Sequence, residues 1–193
     1  MPLTARTPRE AFRIFQDHLN GVLNKVLTCY RLRFVVSGVK QDQASLAFFN
    51  ARSISIAIPL PPSPRYLYLG QELKAIPEGK EYVLRTLKYG YRIQRTALLQ
   101  DEAEVRFEYV SREMEPSARY SRHHVQFHRD YHTVHEDFSP TKLHIPTGWV
   151  TIENVIRFLI TDLGIPPLIE TWEEELRESE EQFREWTSRE VPE

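Results

Sequence analysis

EYVLRTLKYGYRIQRTALLQDEAEVRFEYVSRE, residues 81–113, sets the fold class of this chain. Leu87, Tyr89, Tyr91 and Ile93 alternate with Lys88, Gly90, Arg92 and Gln94. That period of two marks a strand with one buried face. The first half of the run is also compatible with a helix. Gln100-Asp101-Glu102 is a polar turn, and beyond it Val105, Phe107 and Tyr109 alternate with Glu104, Arg106 and Glu108. Two alternating runs joined by a short polar link predict antiparallel neighbours.

Upstream, Thr7-Pro8-Arg9-Glu10 opens a helix. Threonine caps, proline fits the first turn, and Glu10 completes a capping box. Phe12, Phe15, Leu19, Val22, Leu23 and Val26 recur at helical spacing to about residue 27. RLRFVVSGV and ASLAFFN read as strands around the turn Lys40-Gln41-Asp42-Gln43, and SISIAIP as a third. The proline-rich PLPPSPRYLYLGQELKAIPEGK reads as an irregular crossing segment. Downstream, Thr151 caps a helix whose apolar positions are Ile152, Val155, Ile156, Leu159 and Ile160, with Gly164 and two prolines as its stop. A capping box, Thr171 to Glu174, starts a last helix with the stripe Trp172, Leu176, Phe183 and Trp186. The expectation is a single α+β domain over residues 1–193: an N-terminal helix, a mainly antiparallel β-sheet and two C-terminal helices. Residues 171–193 form the acidic C-terminal helix and tail.

The one cysteine, Cys29, excludes an internal disulfide framework and a multi-Cys zinc site, and reads as a buried inert thiol. The N-terminus has no apolar signal segment, and ISIAIPLPP is too short to span a bilayer, so a cytoplasmic location without membrane contact is expected. Net charge is −2 but uneven. Ten glutamates and three arginines from residue 165 onward give −7, leaving +5 for the rest. A basic body, in a chain with 19 arginines against 6 lysines, permits contact with nucleic acid.

Six of the seven histidines lie between residues 123 and 144. Two geometries fit residues 122–135. As a strand, Val125, Phe127 and Tyr131 share one face, and His124, Gln126, His128, Asp130 and His132 the other. As a helix, His124, His128, His132 and His135 form a stripe. The strand is favoured for residues 122–129, because His, Val, Phe and Tyr are modest helix formers. If it pairs with the 104–111 strand, Arg106 and Glu108 join His124, Gln126 and His128 on one polar face, with cross-strand side chains about 5 Å apart. Arg92 or Lys88 extends that face.

Such a face suits metal-independent RNA cleavage. One group takes the ribose 2′-hydroxyl proton, another protonates the leaving 5′-oxygen, and a cation stabilises the transition state. His124 and His128 are the proton-transfer candidates, Glu108 an orienting carboxylate, and His144 a partner that completes the site or a boundary packing residue. Arg106, Arg92 and Arg122 are the phosphate candidates. No cofactor is called for. The alternative metal set is His124, His128, His132 and His144, although strand residues four apart lie about 13 Å apart, too far for one zinc without help. A solvent-facing polar sheet surface without chemistry explains the same residues. His18 and His123 read as structural.

VRFEYV, RHHVQFH, LHIPTG and TIENVIRFLI, within residues 105–166, resemble the TumE-like toxins of prokaryotic toxin–antitoxin systems. That resemblance implies a small cytoplasmic effector acting on RNA or nucleotides and neutralised by a cognate antitoxin. Three functional classes therefore stand: a ribonuclease-type effector, a non-enzymatic interaction or immunity-type module, and a metal-dependent hydrolase. Expected partners are RNA, an antitoxin or other protein, and a second copy through the end of the C-terminal helix around Phe183 and Trp186.

Overall fold

In the computed structural model, residues 5–37, 41–117, 121–127 and 145–187 are described. Helix α1 is Pro8–Val26, started as expected by Thr7, whose hydroxyl accepts from the Glu10 N–H at 3.2 Å. Glu10 reaches back one residue further than a capping box requires, accepting from the Arg6 N–H at 2.7 Å. Among the described residues eight strands follow α1: β1 Leu32–Ser37, β2 Gln43–Phe48, β3 Ile58–Pro59, β4 Tyr66–Glu78, β5 Glu81–Gln94, β6 Ala103–Val110, β7 His123–Phe127 and β8 Ile145–Pro146. Helices α2, Ile152–Thr161, and α3, Trp172–Thr187, follow the strands. The strand order is β1-β2-β4-β5-β6-β7-β8, with β3 pairing β4. The class is α+β, with one N-terminal and two C-terminal helices, as the sequence predicts.

Three expectations need correction. The crossing segment contains the 13-residue strand β4, in which Leu67, Leu69, Gln71, Leu73 and Ala75 are buried in strict alternation. The third strand shrinks to Ile58–Pro59, with Ser55 left in an isolated bridge to Phe49. Cys29 is exposed, because α1 ends at Val26 and the thiol lies beyond its apolar stripe. β5 is a strand throughout, which settles its ambiguous first half. No helix among the described residues is long and apolar enough to cross a membrane.

By contacts the chain falls into two compact units, and β4 and β5 contribute residues to both. The first unit is Met1–Leu46, Glu72–Thr86 and Thr151–Glu193. Its core takes Phe12, Phe15, Leu19 and Leu23 from α1, Val155, Ile156 and Leu159 from α2, and Leu176 from α3. Thr151 and Asn154 form a reciprocal capping box on α2, and Gly164 takes a positive φ of 67° at the turn beyond it. Phe183, expected at a homodimer contact, packs on Phe15 of its own chain with ring centroids 6.1 Å apart. Each such apolar side chain contributes about 1.5–3 kcal/mol when fully buried.

The second unit is Ala47–Gln71 and Leu87–Val150. One sheet face carries an aromatic layer. Tyr89 stacks on Tyr91 at 4.7 Å, Tyr109 on His123 at 4.4 Å, and Trp149 meets Tyr89 edge-on at 5.7 Å. The Tyr89 hydroxyl accepts from the Val150 N–H at 3.1 Å and lies 3.3 Å from His123 Nδ1. Burial pushes the Tyr89 phenol up to about 12 and lowers His123, an effect that the neighbouring His124 reinforces. A neutral His123 ring suits a hydrogen bond with the neutral Tyr89 hydroxyl, which accounts for a histidine on this face.

Candidate functional site

The opposite face of β5, β6 and β7 follows from alternation and register. Antiparallel pairing sets Gly90 opposite Glu108 and Glu108 opposite His124. One step along, Arg92 stands opposite Arg106, and Arg106 opposite Gln126. Residues directly opposite project to the same side. The result is a grid of two rows, Gly90–Glu108–His124 and Arg92–Arg106–Gln126. A side chain at Gly90 would meet nothing within 4 Å, so the grid is dished beside Glu108.

Each polar group on the grid has a specific setting. His124 is 3% exposed, and its Nδ1 lies 2.9 Å from the Ser121 carbonyl oxygen. A carbonyl only accepts, so Nδ1 carries the hydrogen there. The other ring nitrogen, Nε2, lies 3.5 Å from Glu108 Oε2. This contact is an ion pair when the ring is protonated. The His124 contact, with Arg106 and Arg92 nearby, holds the Glu108 carboxyl below the usual carboxylate range despite its partial burial. Arg106 Nη1 reaches Gln126 Oε1 at 3.4 Å. Arg92 Nη1 donates to the Leu99 carbonyl at 3.1 Å, while its Nε is buried with no hydrogen-bond partner among the described residues. Burial, then the Arg106 charge, lowers the Arg92 guanidinium pKa.

The structure thus brings together four of the sequence candidates, Arg92, Arg106, Glu108 and His124. Arg122 is turned to the main chain, with Nη1 3.3 Å from the Val110 carbonyl and 3.4 Å from that of Glu115. His128, His132 and His144 lie outside the described residues, as does His135. β7 is a strand over His123–Phe127, and residues 128–135 of the run fall outside the described residues. Among the described residues no group of three His, Cys, Asp or Glu side chains is placed to hold a metal ion.

Tyr68 on β4 was not visible as a neighbour of this face. The Arg92 guanidinium carbon lies 5.9 Å from its ring centroid, and the ring folds over Gly70, where any Cβ would collide with the tyrosine hydroxyl. The alternation of Leu67, Leu69, Gln71 and Leu73 against Tyr66, Tyr68, Gly70 and Glu72 is the signal that would have found it.

The chain matches no family model, no curated protein and no solved structure.

Proposed function

We propose that this chain is a nucleic-acid-directed effector that grips a phosphodiester on the Arg92–Arg106 face and cleaves RNA without a metal. The observation that carries the reading is the direct opposition of Arg92 and Arg106 on neighbouring strands. Like charges directly opposite destabilise a sheet. One carboxylate, Glu108, compensates them only in part, and an anion bound between two guanidinium forks relieves the remainder. The dished surface over Gly90 gives a phosphate and its sugar room next to Glu108.

Burial favours a particular division of labour. Glu108 is half-buried and faces the dish, whereas the His124 side chain is 4% exposed. Glu108 is therefore the better group to take the ribose 2′-hydroxyl proton, and His124 is a positioning residue that holds it. The 2′-oxygen then bonds to phosphorus, and the 5′-oxygen leaves with a proton from an acid. The products are a 2′,3′-cyclic phosphate and a free 5′-hydroxyl. His128 and His144 are the candidates for the acid. The resemblance to TumE-like toxins supports the effector role and adds a neutralising partner protein and a cytoplasmic site of action.

Arg106→Ala and Arg92→Ala should each weaken RNA binding about 10–100-fold, the effect of losing one hydrogen bond to a charged group. The slope of log affinity against log salt should fall by about one. Fluorescence anisotropy with a single-stranded RNA at several salt concentrations measures both. Wild-type affinity and slope in both variants would remove the phosphate assignment. Cleavage of total RNA should persist in EDTA. Complete loss, restored by zinc or manganese, would move the reading to a metal-dependent hydrolase.

A further inference from the structure

β1 stands at one end of the strand order, so among the described residues one of its edges has no strand beside it. Backbone N–H and C=O groups of alternate strand residues point to the same edge. Leu32 and Phe34 therefore share one. The Leu32 N–H donates to Asn20 Oδ1 at 2.7 Å, and the Leu32 carbonyl accepts from Asn20 Nδ2 at 3.0 Å. The Phe34 N–H donates to Gln16 Oε1 at 3.1 Å. Side-chain amides of α1 thus occupy the outer edge where a further strand would pair.

The spacing explains why a helix can do this. Gln16 and Asn20 are four residues apart and lie on one face of α1. Four helical residues rise about 6 Å, and two strand residues about 6.6–6.8 Å. The two amides therefore keep step with the two strand residues. Asn20 is 1% exposed, so its amide is committed to Leu32 rather than shared with solvent.

We infer that Gln16 and Asn20 are a surrogate strand that closes the outer edge of β1 against β1 of a second copy of this chain. An open edge is a template for pairing, and proteins blunt it by covering or charging it. The segment LRFVVS is rich in residues that favour strands, and Val35 is 44% exposed. A second copy supplies the same segment in matching form. Two such edges pair antiparallel about a two-fold axis, the commonest symmetry of a self-association.

The test is the solution mass of Asn20→Ala by light scattering across a concentration series, with circular dichroism to establish folding. The expected result is a folded variant of about twice the wild-type mass. Adding Val35→Lys should return that mass to the wild-type value, because a lysine on the exposed edge opposes pairing. A folded Asn20→Ala variant with wild-type mass at every concentration overturns the inference. So does association that survives Val35→Lys, since it does not run through β1. Where Asn20→Ala fails to fold, Gln16→Ala replaces it. It should speed hydrogen exchange at the Phe34 amide and raise the mass at high concentration, and an unchanged mass would overturn the inference.

Discussion

Glu108→Gln should lower RNA cleavage by about 10²–10⁴-fold, the usual contribution of one acid–base group, while RNA affinity changes little. Glutamine keeps the size of the side chain and its hydrogen-bonding oxygen, but it cannot take a proton. His124→Ala should act differently. The His124 contact is the largest cause that holds the Glu108 carboxyl low, so losing it should raise that group's pKa. A base must be deprotonated to act, so the acid limb of the rate profile should move to higher pH in His124→Ala. In Glu108→Gln that limb should vanish with the activity. Steady-state cleavage of a short RNA between pH 4 and pH 8 checks both. Wild-type rates in Glu108→Gln would remove Glu108 as the base. An unmoved limb in His124→Ala would remove His124 as its positioning residue.

The polar face was legible because alternation assigns residues to faces without any tertiary information. Arg92, Arg106, Glu108, His124 and Gln126 were grouped on that ground, and the register brings them together. That Arg92 meets Arg106 rather than Glu104 or Glu108 depends on the 95–102 link and on the irregularity between Ile93 and Gln94. Neither leaves a mark in the residue pattern. β4 was misread because Pro59, Pro61, Pro62, Pro64 and Pro77 crowd its ends, while its interior alternates as cleanly as β6. The helices were legible from their caps, since Thr7 and Thr151 accept the expected N–H groups. Cys29 was misplaced by extending an apolar stripe past its last turn. Contacts across 161 residues of sequence, such as His18 to Ser179, leave no local signature.

Ser179→Ala should cost about 2–3 kcal/mol, and at this chain length lower the melting temperature by about 4–12 °C. Ser179 Oγ donates to Glu153 Oε1 at 2.5 Å and lies 3.0 Å from His18 Nε2, so one hydroxyl links α3 to α2 and α1. Glu153 is 1% exposed and Ser179 4%. Without the hydroxyl, the buried carboxyl oxygen loses its short donor. His18 Nε2, 3.9 Å from Glu153 Oε1, is too far to take over without movement. Burial lowers the His18 pKa, and Glu153 and Gln182 oppose that shift without cancelling it. The sign of the pH dependence follows. A histidine whose folded pKa is lowered binds its proton later than in the unfolded chain, so acidification favours unfolding. Stability should be full above the ordinary histidine value near 6.5 and fall as the pH drops below it. His123, also lowered, adds to the same slope. His18→Gln should therefore flatten the decline between pH 7.5 and pH 5.5 without abolishing it. Differential scanning calorimetry of the wild type, Ser179→Ala and His18→Gln across that range measures both effects. A Ser179→Ala melting temperature equal to wild type would show that this hydroxyl does not hold the three helices together.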